Sequence, residues 1–568
     1  MIFLPPNVPT LLYERSHFVE SGSYAEAVSF CETLAKRSPF AKIIRFGTSP
    51  EGRPMIALLM SAKKEFTPQA LAKSPRPLIF VNNGIHAGEI EGKDASLMLV
   101  RGMLLEGKHK DLFQGANWLM IPIYNVDGHE RKSKYNRINQ NGPIEMGWRS
   151  TGQNLNLNRD YMKADAPETR AWLGLLHRYQ PDFLFDDHTT DGADYRYSAM
   201  LSVPQSPVLP PATADFSKRL YDEVKLANDA KGVLTAPYFE VDRNNIGRGL
   251  TVEDFTPRYT HGYFAALGRP SMLIETHMLK DYKTRVEATY QTLVATSTFL
   301  VKNASRLKTL NHAADAPVKE GDTVVFASKP SAEKRPFTFL GWRYAPAESP
   351  SAGSPVAAWV HDPVDTVTTV QDQYLPGASG TAPAGYAIPA AWTDVIDRLR
   401  LHGLPVKILK SPMTGSFSSA RFDGVRFATR PFEGRFQPSF TVRPVTETRV
   451  LAPGTAIVPA SRLAMQLLEP DAPDSLLKWG LFNNVFEQKE YFEDYSMAVV
   501  GDAMLANDPK LKAEFEAWLV KSPNASKNDR LGWLFDRSPY ADRRLNAYPV
   551  VRLIGAQLRQ LEPLLSLR

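Results

Sequence analysis

The chain contains one cysteine, Cys31, among 568 residues. A single thiol excludes an internal disulfide and every zinc module built on several cysteines. Its place in an amphipathic stretch predicts a packing role. No run approaches the ~20 consecutive apolar residues that a bilayer span requires. Blocks of about five or more basic residues are also lacking. The 67 Lys and Arg against 61 Asp and Glu leave a thinly spread charge of +6, so neither nucleic acid nor an anionic membrane is the expected partner. Repeats and low-complexity tracts are absent. With 43% hydrophobic and 23% charged residues, this excludes a disordered, collagenous or coiled-coil chain. The opening Met1-Ile2-Phe3-Leu4-Pro5-Pro6 lacks the charged and long apolar stretches of a signal peptide. The compartment stays open, since a periplasmic or secreted location requires a leader removed ahead of Met1. Oligomeric state is equally open.

What is present is the alternation of an α/β fold. From about residue 24 to 300, short runs rich in Ile, Val, Leu and Phe alternate with helical patterns, which predicts a largely parallel buried sheet. The expected strands are Ile43–Phe46, Met55–Met60, Leu78–Asn82, Trp118–Tyr124, Phe183–Phe185 and Ser271–Ile274. The expected helices are Tyr24–Ala35, Glu91–Leu105, Pro167–Tyr179, Phe216–Ala227 and one from Thr284 to about Leu307. Beyond about residue 312, proline and small residues cluster and the segments shorten. This divides the chain into residues 1–310, expected to be catalytic, and an accessory region 311–568, β-rich over 311–470 and helical over 471–568. Within the latter, Trp392–Leu401 reads as a helix stopped by Gly403, Val406–Leu409 as a strand, and Leu511–Val520 and Tyr548–Leu565 as helical.

In an open α/β sheet, ligands bind beyond the carboxyl ends of the strands. Polar clusters follow four of the expected strands: Asn83–Glu89, Asn125–Gly128, Asp186–Thr190 and Glu275–His277. His86 and Glu89 stand three residues apart where a strand gives way to a helix, and His188 arrives from another strand end. Two imidazoles and one carboxylate make a three-ligand zinc set that leaves one tetrahedral position for water. Glu275, ending an apolar run, suits the base that deprotonates such water, with His277 as an alternative or assistant. Asn158-Arg159 offers an amide and a planar guanidinium for a substrate carboxylate. Asn136-Arg137 is a second such pair, and Lys134 and Arg149 add positive charge.

These residues resemble the M14 family of zinc metallocarboxypeptidases over about residues 15–305. Phe46-Gly47-Thr48-Ser49-Pro50-Glu51-Gly52-Arg53-Pro54 is similar to the family's early Gly-x-Ser-x-Glu-Gly-Arg segment. His86 and Glu89 match its His-x-x-Glu, His188 its later zinc histidine, and Asn125-Val126-Asp127-Gly128 its Asn-Pro-Asp-Gly turn. Asn158-Arg159 matches the pair that holds the substrate's terminal carboxylate, and Glu275 the catalytic glutamate. The resemblance implies a three-layer α/β fold with a mixed sheet flanked by helices, Zn2+ as cofactor, and hydrolysis of the C-terminal peptide bond of a substrate with a free carboxylate. Four positions depart from the pattern. Ala87 and Gly88 replace a segment that contains an arginine in the pancreatic-type enzymes. Gln140 stands where an arginine polarises the scissile carbonyl, so Arg137 is the alternative donor. Asn156 replaces an aspartate that orients a zinc-bound histidine, leaving Asp186, Asp187 or Asp127 to supply the carboxylate. Tyr259, with Tyr263 behind it, is the candidate for the family's mobile tyrosine. The departures keep two other readings open: a zinc amidohydrolase of the same fold acting on acyl-amino acids or peptidoglycan stem peptides, and a non-catalytic zinc- or peptide-binding module. The accessory region is expected either to cover an edge of the catalytic sheet or to roof the cleft. The aromatics of Trp479–Tyr495 are expected in a core.

Overall fold

The computed structural model describes residues 8–241, 246–488 and 491–567, so the opening stretch Met1–Pro6 lies outside the described residues. The centre is an eight-stranded mixed sheet. Its spatial order is Ala41–Thr48, Pro54–Met60, Asn117–Ile121, Leu78–Asn83, Phe183–Thr189, Ser271–Thr276, Ala199–Ser202 and Thr235–Pro237. The four middle strands, Asn117–Ile121 through Ser271–Thr276, run parallel and are buried along their whole length. That is why their sequences read as unbroken apolar runs rather than as alternation. The outer pairs Ala41–Thr48/Pro54–Met60, Pro54–Met60/Asn117–Ile121 and Ser271–Thr276/Ala199–Ser202 are antiparallel, so the sheet is less parallel than the runs alone predict.

Helices flank this sheet. Glu91–Leu105 packs against Tyr24–Arg37 and Tyr282–Lys302, and Tyr282–Lys302 packs in turn on Pro211–Asp229. Pro167–Tyr179 packs against strand Ala41–Thr48. Its first residue is a proline, which leaves no unpaired N–H at a first-turn position. Cys31 is fully buried, in keeping with a packing role. Among the described residues no helix is long and apolar enough to cross a membrane.

Several expected bounds shift, each for a physical reason. Strand Asn117–Ile121 ends before Pro122, which has no N–H for a ladder. Phe183–Thr189 and Ser271–Thr276 run on through polar residues, because Asp186, His188 and Glu275 are paired inside the sheet rather than released to a loop. The long helix expected from Thr284 is two helices, Tyr282–Lys302 and Ala304–Ala314, broken at Asn303.

Beyond residue 311 lies a seven-stranded sheet of Pro438–Leu451, Met413–Phe427, Val551–Leu553, Gly385–Ile388, Ala456–Pro459, Lys407–Leu409 and Leu565–Leu567, together with a long hairpin of Arg335–Ala347 and Val356–Gln371. Helix Thr393–Leu401 stops at Gly403, whose φ is +71°. The helical reading of Tyr548–Leu565 is corrected: this stretch holds strand Val551–Leu553 and the short helix Gly555–Leu561, and two of the sheet's strands come from this last stretch of chain. Trp479 and Phe482 are buried as expected, whereas Tyr491 and Tyr495 are exposed; residues 489–490 lie outside the described residues. The regions also interlock. Strand Val356–Gln371 pairs with Leu250–Val252, and one buried apolar cluster runs from Leu11 to Val550.

Candidate metal centre and active site

Strand Leu78–Asn83 and helix Glu91–Leu105 are joined by the turn that carries His86 and Glu89. The helix presses close to the sheet because residue 92 is glycine: a Cβ there would stand 2.4 Å from the Cβ of Asp187. His188 is near the end of the neighbouring strand, and Glu275 is its Cα partner one strand further on. His86, Glu89, His188 and Glu275 are all buried.

His86 Nδ1 and His188 Nδ1 lie 3.1 and 2.9 Å from the same oxygen, Glu89 Oε2. Their other ring nitrogens are held from behind, His86 Nε2 by Asn156 Oδ1 at 3.1 Å and His188 Nε2 by Asp186 Oδ2 at 2.9 Å. Both partners are acceptors, so each Nε2 is placed to donate, and a ring that is neutral with its proton there turns its Nδ1 lone pair toward Glu89. Three electron-rich donors then face one another, all within 4.8 Å. That donor set fits a zinc ion, whose charge would offset the repulsion between the donors. Asn156 thus retains a histidine-orienting role as an amide. Of the three aspartates considered for His188, Asp186 serves. Neither carboxylate oxygen of Asp187 has a hydrogen-bond partner. Asp127 is engaged by Ser49 Oγ at 2.6 Å, the Glu51 amide at 3.0 Å and Arg53 Nη1 at 2.6 Å, an anchor that ties the Ser49–Arg53 segment to the Asn125–Gly128 turn.

Electrostatics follow from burial and neighbours. Burial lowers the ionisation of His86 to about 4, with Glu89 opposing and Arg149 adding to the shift. At His188 burial also disfavours charge, but Asp186 and Glu89 outweigh it and move its pKa well above the usual value. Glu89 itself is held well below the usual carboxylate range: burial opposes this, and His86, Arg137 and His188 override it. Glu275 is pushed up to about 8 by burial, with His188 opposing and Glu89, Asp191 and Asp186 adding. Its Oε2 has no hydrogen-bond partner.

A cavity of about 220 Å3 opens on this group, lined among others by His86, Glu89, His188, Asn158, Arg159 and Glu275. Asn158 Oδ1 accepts from the Thr260 amide at 3.1 Å and from its hydroxyl at 3.3 Å, while the Asn158 NH2 lies 3.5 Å from His188 Nε2. Arg159 has no carboxylate in ion-pair range among the described residues, and its guanidinium lies 4.2 Å from the centre of the Tyr259 ring, a cation–π contact. Arg137 Nη1 pairs with Glu89 Oε1 at 2.7 Å, and Arg149 Nη1 reaches the same oxygen at 3.2 Å. Gly88 makes room for this, since a Cβ there would stand 2.5 Å from Arg137 Cδ. Arg137 thus occupies the space beside Gly88. Gln140 is spent on the backbone, donating to the Gly88 and Gly142 carbonyls at 2.8 and 3.0 Å.

Three expected or considered residues fall elsewhere. His277 bonds Asp194 at 2.8 Å and stacks on Tyr195. Tyr263 is buried against His402 at 2.8 Å, and Lys134 lies over the ring of Tyr135. Conversely, the cavity is also lined by Asp191, Tyr238, Glu253, Phe255 and His261, none of which sits in a recognisable motif. His261 is fully buried with both ring nitrogens unpartnered.

The model of the peptidase M14 family, described as zinc carboxypeptidase, matches residues 27–202. Carboxypeptidase 2 of Trichophyton rubrum is 22% identical over 462 residues, covering 76% of this chain and 79% of the relative. Carboxypeptidase B of Helicoverpa zea is 24% identical over 124 residues, covering 21% of this chain and 28% of the relative. Among solved structures, the metallo-carboxypeptidase from Burkholderia cenocepacia aligns with a TM-score of 0.37 at 17% identity over 49% of this chain and 69% of the other. Carboxypeptidase A from Helicoverpa armigera aligns with a TM-score of 0.37 at 18% identity over 52% and 75%. The matched segment holds His86, Glu89 and His188 in the order and convergence just described, so residues 27–202 are similar to the peptidase M14 family of zinc carboxypeptidases at the residues that could hold a metal.

Proposed function

We propose that the chain is a zinc-dependent metallocarboxypeptidase that hydrolyses the C-terminal peptide bond of peptides with a free carboxylate, residues 1–310 carrying the chemistry and 311–568 serving as accessory. The observation that carries this reading is the meeting of three lone pairs beside the unpartnered Oε2 of Glu275. His86, Glu89 and His188 would hold the zinc. When bound, the ion supplies Lewis-acid activation, lowering the pKa of water from ~16 toward ~7 and polarising a carbonyl. Glu275 takes a proton from the attacking water at its free oxygen and delivers it to the nitrogen of the leaving amine. Asn158 and Arg159 grip the terminal carboxylate, with the Tyr259 ring keeping the guanidinium flat against the cavity wall. Arg137, beside Glu89, supplies the cationic hydrogen-bond donor that Gln140 does not.

The test is elemental analysis of the protein and of His188→Ala, paired with hydrolysis of one peptide bearing a free or an amidated C-terminus. About one zinc per chain, lost in the variant together with release of the terminal residue from the free peptide alone, is the expected result. Zinc without release, but with turnover of acyl-amino acids or muropeptides, replaces this reading with the amidohydrolase one. Zinc without turnover of any of them leaves a binding module.

A further inference from the structure

The strands Met413–Phe427 and Pro438–Leu451 form a hairpin whose far end reaches the candidate centre. Its turn, Phe432-Glu433-Gly434-Arg435, is closed by two bonds of 3.0 Å between the backbones of Phe432 and Arg435. Glu433 and Gly434 have φ of +48° and +76°. A two-residue turn with both central residues at positive φ favours Asn-Gly or Asp-Gly. At the first position the Cβ crowds the following carbonyl oxygen, and Glu lacks the short polar side chain by which Asn or Asp offsets that cost; backbone strain of this kind concentrates at functional sites.

The strained residue makes one contact that matters. Glu433 Oε2 accepts the amide N–H of Asn156 at 3.0 Å. Asn156 in turn places its Oδ1 3.1 Å from His86 Nε2 and 3.0 Å from the amide of Asn158. One carboxylate from the accessory region therefore holds the peptide that both backs a histidine and begins the Asn158-Arg159 segment. The turn is fixed on either side. Arg435 Nε and Nη2 grip Asp165 at 2.9 and 2.6 Å, Arg398 Nη2 joins at 2.8 Å, and the Phe432 ring stacks on Trp479. Glu433 is also among the charges that act on Arg159.

We propose that Glu433 is a positioning residue of the candidate centre: by holding the Asn156 amide it fixes the His86 imidazole and the carboxylate clamp, so the accessory region governs metal retention and the grip on substrate. The metal and substrate parts rest on the zinc reading above; the amide contact does not.

Glu433→Gly removes the acceptor and relieves the backbone strain, so folding is retained, while Glu433→Gln keeps an acceptor of the same length. In metal-free protein the Asn156 amide is expected to exchange its hydrogen about 10-fold faster in the glycine variant and near the parental rate in the glutamine variant. Zinc-loaded glycine variant is expected to lose metal to a chelator about 10-fold faster and to show a higher KM for a free-carboxylate peptide with a smaller change in kcat. Should Glu433→Gly fail to fold, Glu433→Asn, which the turn favours and whose side chain is one methylene shorter, takes its place. Unchanged Asn156 exchange in the shortened variant, or a glutamine variant as impaired as the glycine one, overturns the proposal. A parent protein that takes up no zinc overturns the zinc reading instead, and the exchange measurement still decides the role of Glu433.

Discussion

Glu275 and His188 are Cα partners on adjacent parallel strands, so the proposed base and a proposed metal ligand keep their spacing through a ladder of backbone hydrogen bonds rather than through a loop. Glu275→Gln keeps the shape and removes the proton acceptor. Peptide turnover is expected to fall by about 10²–10⁴-fold with zinc content unchanged. Turnover within a few-fold of the parent, measured on protein of verified zinc content, would place the base elsewhere.

Arg159 has no carboxylate in ion-pair range among the described residues and lies over the Tyr259 ring. Arg159→Ala is expected to reduce the preference for free over amidated C-termini by about 100-fold, corresponding to ~3 kcal/mol from a buried charge-assisted contact. The ratio of kcat/KM values for the two peptides checks this, and an unchanged ratio assigns the carboxylate to another group.

Stability is expected to respond to pH through two carboxylates of opposite sign. Glu168, in the first turn of helix Pro167–Tyr179, is fully buried with both oxygens unpartnered, and burial, opposed by its own amide and aided by Asp127 and Asp160, pushes it up to about 7. A raised carboxyl favours the fold below its ordinary pKa and loses that contribution as pH rises through about 7. Glu168→Gln is therefore expected to match the parent near pH 4 and exceed it by roughly 2–3 kcal/mol at pH 8. Asp165 runs the other way. Against the effect of burial, Arg435, Lys163 and Arg398 hold it well below the usual carboxylate range, so its contribution is present above the ordinary carboxyl pKa and is lost as pH falls through the depressed one. Asp165→Asn leaves Arg398 and Arg435 without their anion, Lys163 keeping Asp160, and is expected to cost about 3 kcal/mol at pH 7, shrinking in acid. Urea midpoints of the three proteins between pH 3 and 9 test both signs.

Much of the centre was legible in the sequence because it is made of short-range patterns. His86 and Glu89 share one turn, Asn158 and Arg159 are neighbours, and Glu275 follows an apolar run, so each could be read within a few residues. The buried strands were legible for the same reason, although their polar ends were cut short: a strand that pairs Asp186 with His188 inside the sheet looks like a loop in one dimension. What depends on long-range packing was not legible. Arg137 fills the space that Gly88 leaves, 49 positions away in the chain. Glu433 meets Asn156 across a separation of 277 residues. Tyr238, Glu253 and His261 enter the cavity from stretches with no periodicity that would mark them. The last stretch misled because a helical pattern over Tyr548–Leu565 cannot reveal that the seven-stranded sheet needs strands from it.

The interlocking of the two regions bears on how the protein can be re-engineered. A cut at residue 310 would separate Tyr263 from His402, the Lys163 carbonyl from Arg398 and the Arg258 amide from Asp474, and would divide the apolar cluster that spans both halves. Residues 1–310 are therefore not a cassette to be transplanted, and a fusion partner belongs on an exposed loop rather than at that seam.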